Sequence, residues 1–275
     1  MSFYFAPSAM ALQRDQTHLL VDAHVHLHPC FDLAQFFNTA LENFHTQSQS
    51  LQLAQPAIGA LLLAEVSGVE AFADLVDQQQ QINQQLPDWE ICPTAEACSL
   101  WINHSAGHSL LVTAGRQVVT QEGIEVLALI TAANIEAGLS LADTLSQVEL
   151  ADGLPVLPWG VGKWIGKRGK LVQAQLQIAR SLLFTGDNGG RPSFWPLPDY
   201  FQQRPQLPGS DPLPLPNEVS RAGSFGFLTR GQLDQARPGE SLKQILRSHH
   251  PIIQNYGQLL SPWQFVRNQS LLRLS

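Results

Sequence analysis

The chain has 275 residues, of which 44% are hydrophobic and only 14% are charged, against roughly 25% in an average soluble protein. This length and apolar content predict a folded protein with one large α/β domain or two small ones. The formal net charge of −7 argues against nucleic acid and anionic membranes as partners of the chain as a whole.

The N-terminal residues and the cysteines indicate the cellular compartment of the protein. Residues 1–20 contain no uninterrupted apolar segment of the kind that secretory signal peptides carry. No run of about 18 apolar residues occurs, so the sequence predicts no membrane-spanning helix. The three cysteines show no Cys-x-x-Cys spacing, which fits neither a disulfide framework nor a zinc ribbon. We therefore expect a cytoplasmic protein with reduced thiols.

Apolar segments rich in valine, leucine and isoleucine alternate with helical patterns along the chain. Strands are predicted at 19–25, 58–66, 110–112, 117–119, 126–130, 154–157 and 182–185, and helices at 31–44, 69–86, 134–148 and 171–183. Asp32 and Asn134 are placed to cap two of these helices. The proline-rich residues 192–216 predict a long irregular loop. The alternation predicts a mostly parallel sheet that is either covered by helices on both faces or closed into a barrel.

The segment Val21-Asp22-Ala23-His24-Val25-His26 places two imidazoles two residues apart at the end of the first predicted strand. Alternate side chains of a strand share a face, so His24 and His26 can converge on one ion. Neutral imidazole is a common ligand for zinc, iron and manganese. The pattern indicates a metal site, and the alternative is a pair of histidines without a metal.

A basic, glycine-rich loop follows a later predicted strand. Residues 158–170 hold four cations and four glycines, and two of the chain's tryptophans. Glycines let backbone amides approach an anion, and the start of the next helix adds a partial positive charge. The alternative is a flexible solvated loop, against which the tryptophans argue, because exposed loops rarely carry them. The candidates for binding an anionic substrate are Lys163, Lys167 and Arg168, together with Arg191 of a later loop.

Two further residues are candidates on local grounds. Asp187 follows the last predicted strand in Asp-Asn-Gly-Gly, where it is either a functional carboxylate or an ordinary turn aspartate. Arg221 is a candidate for substrate binding, and the alternative is a helical ion pair with Glu218.

Taken in order, three motifs resemble metal-dependent hydrolases of the barrel type, the amidohydrolases and the polymerase and histidinol phosphatase (PHP) family. Residues Val21 to His26 resemble the signature of the first strand. Thr113 to Leu127 resembles the PHP segment in which a bridging glutamate follows a glycine. Gly209-Ser210-Asp211 resembles the Gly-Ser-Asp of the last strand, whose aspartate binds metal or takes a proton. The resemblance spans residues 19 to 230 and implies a metal-binding hydrolase.

The chain departs from the PHP pattern at several positions. The second strand ends in a single carboxylate, Glu65, where the family has Thr-Asp-His. The position of the bridging glutamate falls on Gln117, a neutral and weak ligand. Pro158 and Trp159 stand where a His-Pro is expected, and Pro212 follows the last motif without the family's histidine. These departures exclude a full trinuclear site and leave room for at most one metal ion.

The resemblance therefore implies a distorted (βα) barrel of seven or eight mostly parallel strands. We expect an N-terminal extension over residues 1–18, the barrel over 19–235 and a C-terminal helical segment over 236–275. One zinc, manganese or iron ion would be held by His24, His26 and Asp211, with Glu65 or Asp187 completing the shell. Asp211 and Asp187 are the catalytic candidates, and in some amidohydrolases a carboxylated lysine, here at Lys163, bridges metals.

The leading hypothesis is a metal-dependent hydrolase of a small anionic substrate, more a phosphoester than an amide because of the basic loop. The first alternative is an inactive barrel that binds an anionic ligand or a partner protein, which the missing histidines would fit. The second is a metal-free enzyme with Asp187 and Asp211 as acid and base, which leaves His24 and His26 unexplained.

Overall fold

The computed structural model describes residues 17–178, 182–248 and 253–272, and the elements named here lie within them. The strands are β1 Thr17–Val25, β2 Ile58–Leu63, β3 Trp89–Pro93, β4 Ser99–His104, β5 Ser109–Thr113, β6 Gly115–Val119, β7 Glu125–Leu129, β8 Leu154–Trp159, β9 Phe184–Asp187, β10 Gly226–Gly231 and β11 Gln254–Tyr256. The helices are α1 Leu33–Ser50, α2 Ala71–Asp77, α3 Gln79–Gln85, α4 Leu141–Leu150, α5 Lys167–Ile178, α6 Pro238–Arg247 and α7 Pro262–Leu272. The predicted N-terminal extension, 1–18, lies outside the described residues except for Thr17 and His18, which begin β1.

The strands form two sheets. The first has seven strands in the order β11-β10-β1-β2-β5-β4-β3, and the second has four in the order β6-β7-β8-β9. The expectation of a closed, mostly parallel barrel is therefore wrong. Among the described strands only β1 with β2, β2 with β5 and β8 with β9 pair in parallel. Short turns at Gly107 and Gly123, both with positive φ, return the chain as hairpins, which makes their strands antiparallel.

The central strands of the first sheet are buried on both faces, which explains their continuous apolar sequence. Leu20 and Leu61 pack on one face with Phe37 of α1. Leu19 and Leu62 pack on the other face with residues of the second sheet. The core between the two sheets thus begins on β1 and β2, the strands whose ends lead to the site.

Two stretches of backbone hydrogen bonds join the sheets. Residues 205–211 run between β9 and β1: Leu207 N donates to Thr185 O (2.8 Å) and Asp211 N donates to His24 O (2.8 Å). On the other side Gln117 N, in β6, donates to the carbonyl of Glu65 just beyond β2 (2.8 Å). We call the first of these stretches, residues 205–211, the bridging segment. The ends of β1 and β2 therefore lie at the line where the two sheets meet.

Helix boundaries follow local capping. The prediction for Asp32 is confirmed, since its side chain accepts from Gln35 N and caps α1. The prediction for Asn134 is wrong, because Ser140 caps the corresponding helix, α4. The predicted helix 69–86 is divided at Gln78 into α2 and α3. No described helix is long and apolar enough to cross a membrane.

Candidate metal centre

Three side chains converge where β1 ends. Nε2 of His24 lies 3.1 Å from Nε2 of His26, and Oδ1 of Asp211 lies 3.1 Å from the His26 nitrogen and 3.5 Å from that of His24. Both histidines are buried, and Asp211 is largely so. Three potential ligand atoms thus surround one point.

The Gly-Ser-Asp motif delivers Asp211 to the histidines through tight backbone contact. A Cβ on Gly209 would lie 2.1 Å from the backbone nitrogen of His24, so only glycine permits this approach. Asp211 itself adopts a left-handed φ of 47°, an uncommon conformation that turns its carboxylate toward the histidines. The backbone of the bridging segment therefore lies directly against the backbone of β1, with no room for a side chain at Gly209.

Asp22 fixes the same motif from inside β1. Its carboxylate is fully buried and accepts from Ser210 N (2.8 Å), Ser210 Oγ (2.6 Å) and Gly223 N (2.8 Å). Burial raises the pKa of Asp22 to about 6, although the hydrogen bonds from Ser210 and Gly223 oppose the shift. Arg221 acts from the other side, donating from Nε to Ser210 O (2.9 Å). Asp22 and Arg221 position the residue that precedes Asp211.

The electrostatic environment of the cluster keeps its side chains in the protonation states that bind a metal. Burial lowers the pKa of His24 to about 3, so its ring is neutral at pH 7 and keeps a lone pair. Burial alone would raise the pKa of Asp211, but the electrostatic interactions with the neighbouring His24 ring and the Lys163 ammonium, together with the hydrogen bond from His26, hold it well below its usual range. A neutral imidazole and an ionised carboxylate are the forms that bind a metal.

Gln117 is a fourth potential metal ligand at the cluster, although a neutral amide oxygen is a weak one. Its Oε1 lies 2.9 Å from Nε2 of His24. Gln117 stands in β6, so this contact brings the second sheet to the ligands of the first. The residue reaches the cluster because β6 begins against the carbonyl of Glu65, beside the end of β2.

The distances between these donors fit a bound ion. Ligands 2.0 to 2.1 Å from a metal lie about 2.9 Å apart on an octahedron and about 3.4 Å apart on a tetrahedron. The separations of 3.1 and 3.5 Å among His24, His26 and Asp211 lie close to these values. Imidazole and carboxylate together suit zinc, iron and manganese. The group can hold one divalent ion, and among the described residues it is the one such cluster of histidine, cysteine and acidic side chains.

A cleft of about 450 Å³ opens above the cluster. Lys163 lines it, with Nζ 2.6 Å from Oε2 of Glu125 and 4.0 Å from Oδ2 of Asp211. Burial would lower the pKa of Lys163, but Asp211 and Glu125 raise it above its usual value. Asn188 Nδ2 donates to the same Oδ2 of Asp211 (2.8 Å). An anion entering the cleft would therefore meet an ammonium and an amide beside the ligands.

The structure does not bring Glu65 to the cluster. Its Oε1 accepts from Phe72 N (2.6 Å) at the start of α2, and its Oε2 faces the guanidinium of Arg116 at 3.7 Å. Glu65 stands at the correct strand end, but its side chain points to the helix side of the sheet.

Asp187 is also occupied elsewhere. Its Oδ1 accepts from Gly189 N (3.1 Å) and its Oδ2 from Arg191 Nε (2.9 Å). Arg191 in turn lies over the ring of Trp159. The described contacts of both residues are structural, and they shape the loop that carries Asn188.

The remaining predicted cations lie outside the lining of the cleft. Lys167 is exposed at the start of α5, and Arg168 donates to the carbonyl of Gly162 (3.2 Å). Arg221 contacts the cluster only through Ser210 and also faces Glu218 at 3.7 Å. Of the five predicted substrate-binding residues, the structure places Lys163 at the cleft.

Several residues at the cleft were not predicted as site residues. Asn188 lines the cleft, Glu125 pairs with Lys163 beside it, and the C-terminal helix α7 contributes Phe265 and Gln269 to the lining. Of these, Asn188 had a sequence signal, because it lies in the loop after a predicted strand. The position of α7 over the site is a tertiary contact that no local pattern encodes.

No protein-family model and no curated protein matches the sequence. Among solved structures, PsfC from Pseudomonas syringae PB-5123 is similar with a TM-score of 0.53 at 13% identity, over 94% of this chain and 98% of that one. The lesion-specific endonuclease PfuEndoQ from Pyrococcus furiosus gives a TM-score of 0.48 at 11% identity, over 88% of this chain and 59% of that one. An endonuclease Q complex with a 27-mer duplex substrate, bearing an abasic lesion at the active site, gives 0.42 at 13% identity, over 90% and 60%. The chain shares the fold of PsfC.

One expectation from the sequence is corrected. The exclusion of nucleic acid as a partner rested on net charge alone, and that inference is wrong. The physical reason is that net charge sums over a whole surface, whereas phosphates contact local cations. Here Lys163 lines the cleft, and Lys167 and Lys170 are exposed a few residues further on.

Proposed function

We propose that this protein is a metal-dependent hydrolase and that its substrate is an anionic phosphoester. The observation that carries the proposal is the convergence of His24, His26 and Asp211 beside the ammonium of Lys163 in an open cleft. The ligands supply a metal site, and the lysine supplies a counter-charge for the substrate.

Each residue has a stated part. His24, His26 and Asp211 would hold one zinc, manganese or iron ion, and Gln117 lies within reach as a neutral fourth donor. Such an ion, when bound, acts as a Lewis acid and lowers the pKa of a coordinated water molecule toward 7. Lys163 would bind a phosphoryl oxygen.

Asp211 acts as a ligand rather than as the base in this proposal. A carboxylate whose pKa lies well below the usual range is a weak proton acceptor at neutral pH. Asp187, which we expected as a second catalytic carboxylate, instead orders the loop of Asn188 through Arg191. That loop holds Asp211 in place from the cleft side.

Metal content decides the proposal. We expect about one equivalent of zinc, manganese or iron by inductively coupled plasma mass spectrometry of untagged protein, after reconstitution if needed. His24→Ala and Asp211→Asn should lose the ion. The matched controls His45→Ala and Asp77→Asn, at exposed positions of α1 and α2, should retain it. Wild-type protein that binds no ion above background would refute the proposal.

The substrate screen should compare phosphomonoesters, phosphodiesters, amides and a duplex with an abasic site. We expect phosphoester turnover that is lost in His24→Ala and kept in His45→Ala. Turnover of amides alone would refute the substrate class while leaving the metal site intact.

A second candidate is a binding protein without catalysis. The cluster is already linked internally by the contact of His24 with Gln117 (2.9 Å) and that of His26 with Asp211 (3.1 Å), so it needs no ion to stay together. Metal-free protein that binds inorganic phosphate as tightly as metal-treated protein does would favour this candidate.

A further inference from the structure

We infer that the ammonium of Lys163 takes the place of a second metal ion, so that the centre accepts one divalent ion and no more. The inference rests on the proposed function, because it concerns the same cluster. It assigns Lys163 a role in metal stoichiometry as well as in substrate binding.

The first argument concerns the two oxygens of Asp211. A carboxylate that bridges two metal ions gives one oxygen to each, with the ions about 3.5 to 4 Å apart. Here Oδ1 faces the nitrogens of His24 and His26, as the ligand of one ion would. The other oxygen, Oδ2, accepts from Asn188 and lies 4.0 Å from Nζ of Lys163. The oxygen that a second ion would bind therefore faces the ammonium of Lys163.

The second argument concerns Glu125, the other carboxylate nearby. Its Oε2 is 2.6 Å from Nζ of Lys163, so the ammonium lies between the two acidic groups that could hold a second ion. The same ion pair argues against a carboxylated Lys163, because a carbamate would bring negative charge against Glu125.

Gly160 makes the arrangement possible. A Cβ at this position would lie 3.2 Å from Cε of Lys163 and 2.9 Å from Nδ2 of Asn188. The lysine stem and the asparagine amide therefore pass over a residue that has no side chain. Lys163 approaches Asp211 from the loop after β8, and Asn188 approaches it from the loop after β9.

The third argument is the charge of the site. One divalent ion and Lys163 against the carboxylates of Asp211 and Glu125 leave a single positive charge, whereas a second divalent ion would leave three. Gln117, whose Oε1 lies near His24, is neutral and does not change this sum. An excess of three charges in a largely buried cluster is strongly unfavourable, but a single positive charge suits an anionic substrate.

The test is the number of Mn²⁺ ions bound per chain. We would titrate the full chain with Mn²⁺, follow free Mn²⁺ by electron paramagnetic resonance, and repeat the titration by calorimetry. Wild type should bind one ion. Lys163→Glu, which removes the cation and adds a carboxylate between Asp211 and Glu125, should bind two and show the exchange-coupled spectrum of a close manganese pair.

Lys167→Glu is the matched control, because it makes the same charge change at an exposed position outside the cleft. It should bind one ion. Lys163→Ala frees both carboxylates without adding a charge, and it should bind a second ion more weakly than Lys163→Glu does. If Lys163→Glu shows no cooperative thermal transition, Lys163→Ala decides by the same titration.

The outcomes separate the two proposals. Wild type that binds no Mn²⁺, zinc or iron refutes the proposed function and this inference with it. Wild type that binds one ion while the folded Lys163 variants also bind one refutes the inference alone. Wild type that binds two ions refutes the inference and leaves a metal-dependent hydrolase standing.

Discussion

Asp22 is fully buried and holds the ligand segment from within β1. Its two oxygens accept from Ser210, Gly223 and the backbone nitrogen of His24. Asp22 therefore forms its hydrogen bonds with groups of the chain. It affects the position of Asp211 through Ser210, the preceding residue. A positioning role of this kind is not apparent from the sequence, in which His24 and His26 are the candidate ligands of this motif.

The burial of His24 predicts a pH dependence of stability. In metal-free protein its folded pKa is about 3, whereas an unfolded histidine titrates near 6.5. Below pH 6.5 the unfolded ring binds a proton that the folded ring does not, so acid stabilises the unfolded state. The stability due to the neutral ring is full above pH 6.5 and is lost as the pH falls toward 3.

For His24 this amounts to about 2 kcal/mol of unfolding free energy between pH 6.5 and pH 5. Urea unfolding at both pH values, with a chelator present, measures it. His24→Asn should lose less stability over this interval than wild type, and His45→Asn should behave as wild type. Equal losses in wild type and His24→Asn would contradict the prediction.

The candidate site was predicted in part. His24 and His26 were recoverable from local spacing, and Asp211 from its motif. Glu65 was misplaced because a strand end fixes where a residue lies but not which way its side chain points. Gln117 was set aside because its chemistry is weak, and only the structure shows that its oxygen faces His24.

At the scale of elements, β3 and β4 were missed. Their buried residues alternate, with Trp89 and Ile91 in one strand and Leu100 and Ile102 in the other. This is the period of a strand with one buried face. The signal was present but short, and it is these two strands that extend the first sheet beyond β5 by hairpins.

Helix α7 is the element whose role most depends on tertiary structure. Its Asn268 is buried and donates from Nδ2 to Oε1 of Glu218 (3.1 Å). Glu218 is buried too, and it faces Arg221, which contacts Ser210. One polar chain thus connects the helix that walls the cleft with the residue before Asp211.

Asn268→Ala should destabilise the fold by about 1 to 3 kcal/mol, because the buried carboxylate of Glu218 loses a donor. Denaturant unfolding measures the loss. Ser270→Ala, on an exposed position of the same helix, should change stability by less than about 0.5 kcal/mol. Equal effects of the two substitutions would show that α7 does not depend on this contact.

At the scale of the whole molecule, the alternation of strands and helices predicted a mostly parallel sheet and the resemblance implied a barrel, but two sheets are found. The parallel centre of the first sheet and the pair of β8 with β9 match the prediction locally. The predicted barrel is wrong because hairpins and the bridging segment determine which distant strands lie together. The prolines and the glycine of the bridging segment give no strand pattern in the sequence.

Gly209 tests how the sheets are joined. Gly209→Ala would place a methyl group 2.1 Å from the backbone nitrogen of His24, so the bridging segment would have to move away from β1. We expect a loss of at least about 2 kcal/mol in unfolding free energy and a loss of metal binding.

Gly190→Ala is the control, because the nearest atom to its added carbon would be 3.4 Å away, an ordinary contact. Chemical denaturation and the Mn²⁺ titration measure both variants. Wild-type stability and binding in Gly209→Ala would contradict the close approach.

The site takes its donors from three separate pieces of backbone. His24 and His26 lie at the end of β1 in the first sheet and just beyond it, Gln117 lies in the second sheet, and Asp211 lies in the segment between them. An ion bound by all of them would connect the two sheets through the bridging segment. Tighter binding of the ion would stabilise this connection more. Stability would then depend on ion concentration, rising by about 2.7 kcal/mol at a hundredfold excess over Kd. Under the proposed function, the same bound ion would therefore serve both the reaction and the stability of the fold.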